Sequence, residues 1–125
     1  MNEAQNNRAL TSDERQLINW MLEHGESEAV QFLPQLERLQ VLPTRCPCGC
    51  ASIDFSIDGR PKPSGPMHVI ADFLFGGDTD LCGIFLFAQE ERLAGLEVYG
   101  LAVDAPKTLP TSDLLRAIPN ATASA

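Results

Sequence analysis

The spacing of apolar residues changes once along this chain, and that change restricts the folds open to it. Up to about residue 40 the spacing is helical. Leu17, Ile18, Met21 and Leu22 make one stripe, and Ala29, Val30, Leu33, Leu36 and Leu39 make another. From Ala51 the period becomes two. Ala51, Ile53, Phe55 and Ile57 alternate with Ser52, Asp54, Ser56 and Asp58, the pattern of a strand with one wet face. Helical signals come first and strand signals follow without interleaving. That order predicts an α+β domain rather than a parallel sheet wrapped by helices.

The boundaries follow from local chemistry. Thr11 and Glu14 have capping-box spacing, so a helix is expected over 11–24, with Gly25 as its stop. A second helix is expected over 27–40, kinked at Pro34, which lacks a backbone donor, and ended by Pro43. Strands are expected near 50–58, 67–75, 81–88 and 93–103. The proline- and glycine-rich stretch 58–66 and the Gly76-Gly77-Asp78 turn fall between them. Leu81 to Ala88 is apolar at both parities, as a central strand covered on both faces would be. Ser112 caps a short terminal helix through Ile118. The expected fold is two N-terminal helices on one face of a four-stranded antiparallel β-meander. The domain spans 10–118, with flexible tails at 1–9 and 119–125. Its core is Leu17, Met21, Leu33, Leu36, Ile53, Phe55, Phe73, Ile84, Leu86, Leu96 and Val98.

Charge narrows the partners. The 125 residues carry 17 acids against 9 bases, a net charge of −8. Phosphate backbones and anionic membrane surfaces require Lys and Arg, so neither nucleic acid nor membrane is expected as a partner. A basic protein is electrostatically easier. The start is polar, and no apolar run nears the ~20 residues of a membrane span, so a cytoplasmic protein with reduced cysteines is expected. It would be a monomer or a small homo-oligomer.

Two groups of residues are candidates for chemistry. Cys46, Cys48 and Cys50 put three thiols in five residues, a pattern that suits a structural zinc. In extended backbone such thiols stand roughly 7 Å apart. Sulfurs on one zinc stand roughly 4 Å apart, so chelation needs a turn, which Pro47 and Gly49 favour. The fourth ligand would be Cys82, His24 or His68. The alternatives are a redox or nucleophilic thiol, with Arg45 beside Cys46, and cysteines that are merely structural. The second group is acidic. Asp72, Asp78, Asp80, Glu90 and Glu91 lie in a stretch, 71–91, without Lys or Arg. Of these, Asp78, Asp80, Glu90 and Glu91 make a candidate partner-binding patch, set against the reading that they are ordinary wet turns. His24 suits the end of its helix, and His68 an exposed strand position. No P-loop, dinucleotide fingerprint, nucleophile elbow or H-E-x-x-H motif is present, so no catalytic residue is assigned and a binding role is favoured over an enzyme.

Several ordered motifs together resemble a family of small uncharacterised bacterial single-domain proteins. They are Leu10-Thr11 with Glu14-Arg15 and Leu17, Cys48-Gly49-Cys50 running into Ser52-Ile53, Ile84-Phe85-Leu86-Phe87, Leu93 with Leu96-Glu97-Val98-Tyr99, and Leu109-Pro110. The resemblance implies a single domain and no particular activity. The Leu-Glu-Val-Tyr strand and the late Leu-Pro are also loosely similar to small immunity-type proteins that neutralise toxins. Neither likeness transfers a site residue. The leading expectation is a protein-binding module, with an immunity-like role as one form of it. The other is a metal- or thiol-dependent domain built on Cys46, Cys48 and Cys50.

Overall fold

A computed structural model of the chain describes residues 7–43 and 47–118. Its first helix, α1, is Ser12–His24, and the capping box is formed in full. Thr11 Oγ1 accepts the Glu14 N–H at 3.1 Å, and Glu14 Oε1 accepts the Thr11 N–H at 2.9 Å. Gly25 ends the helix for a reason other than a left-handed φ, since its φ is −82°. A β-carbon there would stand 2.5 Å from the Ile70 carbonyl oxygen and 2.7 Å from Ala71 Cβ. Only glycine allows the helix end to approach the sheet this closely.

The expected architecture is corrected at four points. The second helix is a 3₁₀ segment, Ala29–Arg38, and its expected last turn is instead strand β2, Leu39–Val41. Pro34 has no N–H for an α-helical ladder, and its ring collides with the carbonyl four residues back. Among the described residues the sheet has seven antiparallel strands rather than four. Besides β2 these are β1 (Arg8–Ala9), β3 (Ile53–Ile57), β4 (His68–Phe75), β5 (Cys82–Gln89), β6 (Arg92–Gly100) and β7 (Arg116–Ala117). The expected terminal helix is one 3₁₀ turn, Ser112–Leu114, leading into β7. Finally, the strands do not form a four-stranded meander. Their order is β1-β2-β3-β6-β5-β4-β7.

In that order β4, β5 and β6 are neighbours, joined by a six-residue loop (76–81) and a two-residue turn, while β3 pairs with β6. This is a Greek-key arrangement, and it needs a long return connection. Residues 58–67 supply it, passing over the β5–β6 end of the sheet. Three contacts fasten it there. Gln89 Nε2 donates to Gly65 O at 2.7 Å, the Ser64 N–H donates to Glu90 Oε1 at 3.3 Å, and Arg92 Nη1 donates to Pro61 O at 3.5 Å.

The ladder register assigns side chains to faces. Ile53, Leu96, Leu86 and Ala71 form one cross-strand row, and Val98, Ile84 and Phe73 form the next. Both rows enter the core with Leu17, Ile18, Met21, Leu22, Ala29 and Leu36 from the two helical segments. Of the expected core, only Leu33 and Ile53 are half-buried rather than buried. The opposite face carries Val69, Asp72 and Leu74 of β4, Phe85 and Phe87 of β5, and Glu97 and Tyr99 of β6. None of these belongs to the core cluster. The helical segments cover one face of central β5; on the other face Gly83 and Phe87 are also buried and Phe85 is half-buried, so β5 is buried at both parities, as expected.

Candidate functional site

The β5–β6 hairpin closes through two residues, Glu90 and Glu91, with Gln89 paired to Arg92. Both turn residues are left-handed, with φ of 53° and 60°. Two-residue hairpin turns with positive φ at both positions favour Asn-Gly, because a β-carbon crowds the following carbonyl there. This chain places two glutamates in that conformation.

The turn forms one side of a cleft of about 450 Å³. The 3₁₀ segment forms the other side with Phe32 and Gln35, and Pro66 and His68 complete the wall. Gln35 holds the turn in place from across the cleft. Its Nε2 donates to Glu91 O at 2.9 Å, and its Oε1 accepts the Leu93 N–H at 2.8 Å. Glu90 Oε1 accepts from Arg92 Nη2 at 3.0 Å and from the Ser64 N–H. The Arg92 bond first, and the Ser64 bond second, hold the Glu90 carboxyl below its ordinary pKa. It is therefore ionised through the neutral range. His68 Nε2 lies 2.6 Å from Glu28 Oε2 at the cleft rim and must be the donor in that bond. Glu91 is exposed and has no side-chain hydrogen bond or ion pair among the described residues. The Gln89 Oε1 atom is buried without a hydrogen-bond donor among the described residues. Glu28, Glu90 and Glu91 thus surround a cleft whose remaining wall includes the apolar surfaces of Phe32, Pro66 and Ala88.

The other expected patch residues lie elsewhere. Asp78 and Asp80 precede β5, whereas Glu90 and Glu91 follow it. A strand of eight residues spans roughly 25 Å at its ~3.3 Å rise per residue, so the four acids do not form one surface. Asp80 Oδ1 accepts the Gly77 N–H at 2.6 Å and so closes its own turn. Glu28, His68 and Gln35 were not grouped with Glu90 and Glu91 by sequence. They lie 22 to 63 positions away, and only the pairing of β4 with β5 and the packing of the 3₁₀ segment join them.

Cys46 lies outside the described residues. Gly49, at φ 81°, turns the chain so that the Cys50 N–H donates to Cys48 Sγ at 3.3 Å. Cys48 is exposed and Cys50 half-buried, with Cys50 Sγ donating to Ser52 Oγ at 3.3 Å. Cys82 is buried on the helix-covered side of β5. Burial raises its thiol pKa, and the charge of Asp80 adds to the rise. A thiol held protonated is a poor metal ligand. His24 stacks on Trp20 at 4.3 Å and its Nδ1 donates to Trp20 O at 2.9 Å, while His68 binds Glu28. No group of three His, Cys, Asp or Glu side chains among the described residues is arranged to hold a metal ion. No helix there is long and apolar enough to cross a membrane.

Compared with protein-family models, curated proteins and solved structures, the chain matches none of them.

Proposed function

We propose that this chain is a protein-binding module, and that its cleft at the β5–β6 turn receives a basic side chain of the partner. One observation carries the reading. Two glutamates occupy a turn that disfavours both, at a cost of about 1–2 kcal/mol per residue. Among the described residues the Glu91 carboxylate makes no hydrogen bond or ion pair that offsets this. Strain retained at an exposed turn points to a use for its side chains. Apolar walls suit the aliphatic stem of a Lys or Arg, and Glu28, Glu90 and Glu91 suit its charged head. The net charge of −8 favours fast encounter with a basic surface. The likeness to immunity-type proteins, which act by binding, supports the same reading.

The double substitution Glu90→Asn with Glu91→Gly tests it, because it supplies the residues this turn prefers and removes both charges. Wild type and variant are immobilised, and the association rate of a partner captured from the native host is measured at low and high salt. The expected result is association slowed about tenfold or more in the variant at low salt, with the difference shrinking as salt screens the charges. Equal rates for the two proteins, or no partner for wild type at either salt, overturn the reading.

A further inference from the structure

The face of the sheet turned away from the helices is too apolar for a wet face. In the register of β4, β5 and β6, Asp72, Phe85 and Glu97 stand opposite one another in a single row. The Phe85 ring is thus bracketed by two carboxylate-bearing positions, each one strand spacing away, about 4.8 Å. The Tyr99 ring stands beside it, with centroids 6.0 Å apart, and Phe87 lies 5.9 Å away on the other side. Phe85 and Tyr99 are half-buried, whereas Phe87 and Leu74 on the same face are buried, so the reachable apolar surface is that of Phe85 and Tyr99. The carboxylates lack cations. Neither Asp72 nor Glu97 has an ion pair among the described residues, and Asp72 accepts only the Tyr99 hydroxyl, at 3.2 Å.

We infer that this face docks an arginine-bearing surface of a protein partner, with a guanidinium lying on Phe85 and Tyr99 and bonded to Asp72 or Glu97. The inference does not rest on the cleft, which opens on the helix side of the sheet. Charge complementarity selects the occupant. A second copy of this chain would bring another −8 and the same two unpaired acids against this row, and like charges placed together oppose association. A basic partner supplies what the row lacks. Arginine fits better than lysine, because its planar guanidinium stacks on aromatic faces and bonds carboxylates bidentately.

The test is a titration of the isotope-labelled full chain with a short Arg-Gly repeat peptide, with the Lys-Gly peptide as control, read by amide chemical shifts. The expected result is movement at Asp72, Phe85, Glu97 and Tyr99, with the arginine peptide bound several-fold more tightly. Glu97→Lys should weaken it roughly tenfold or more, the scale of losing one charge-assisted pair. Phe85→Leu, which keeps apolar bulk, should erase the preference for arginine. The Glu90→Asn and Glu91→Gly changes should leave these shifts in place, which separates this surface from the cleft. Equal binding of both peptides by the wild-type chain, shifts confined to the cleft, or no shifts at millimolar peptide each overturn the inference. So does sedimentation showing a wild-type dimer that Glu97→Lys dissociates, since the occupant is then a second copy.

Discussion

Tyr99 lies over Gly83 across the β5–β6 ladder, so closely that a β-carbon on Gly83 would overlap the end of the tyrosine ring. Phe87 lies over Gly95 in the same manner, with ring atoms 2.6 Å from where a β-carbon would stand. The two glycines let the aromatic rings lie low on the face opposite the helices. Gly83→Ala should lift the Tyr99 ring and break its bond to Asp72. A loss of about 1–3 kcal/mol is expected in denaturant melts, the range for forcing an extra methyl into a packed site. A change within 0.5 kcal/mol, a size typical of substitutions at unconstrained surface positions, would show that the ring moves aside without penalty.

Stability and binding should separate at the β5–β6 turn. Glu90→Asn with Glu91→Gly places favoured residues at two left-handed positions and loses only exposed contacts of Glu90. Such exposed pairs contribute little. Unfolding free energy should rise by about 1–3 kcal/mol. A fall in melting temperature would mean that the glutamates stabilise the turn through contacts not apparent in its geometry.

Two carboxyls make opposite predictions with pH. The Arg8 bond, at 2.8 Å, holds Glu14 below its ordinary pKa of 4.5 against the effect of burial. A depressed folded value stabilises above the unfolded pKa and is lost as pH falls through the folded one. Glu14→Gln should therefore destabilise at neutral pH and converge on wild type in acid. Asp72 is raised above its ordinary value of 3.8, by burial first and by the nearby Glu26 as well, with the Tyr99 bond opposing. Its sign is reversed. Protonation favours the fold, and the charge opposes it once pH exceeds the folded pKa. Asp72→Asn should stabilise at neutral pH and lose that advantage as pH falls through the carboxylate range. Urea melts from neutral to acid pH on both variants read the two slopes, and matching slopes would contradict the assignment.

Leu86 is fully buried at the centre of the sheet, between Ala71 and Leu96 in the ladder. Leu86→Ala should cost about 2–5 kcal/mol. A loss well under 1 kcal/mol would place the strand at the periphery.

Cys82 and Cys48 should differ in reactivity. Cys82 is 4% exposed and its thiol pKa is raised, whereas Cys48 is exposed. Thiolate fraction and access set the rate of thiol chemistry. Mass mapping after brief alkylation of the native chain should find Cys82 unmodified until denaturant is added.

The sequence by itself determined what depends on near neighbours. The Thr11–Glu14 cap, the stripe of α1, the positions of β3 to β6 and most of the core were legible, because side-chain period and capping are local. The tertiary structure alone decided which strands pair. Alternation in Ile53–Ile57 says that one side is buried but not that β6 lies beside it; that depends on a return connection, residues 58–67, tied to Gln89, Glu90 and Arg92. The short strands β1, β2 and β7 are two or three residues long. Their ladder bonds come from backbone, which leaves no period to read. The same non-locality governs the site. Acids close in sequence, Asp80 and Glu90, are carried to opposite ends of β5, while Glu28 and His68 meet across a cleft because a 3₁₀ segment packs beside a hairpin. The apolar second face of β5 was visible in its residues; only the fold shows that the helices pack on the other face and leave Phe85 half-buried.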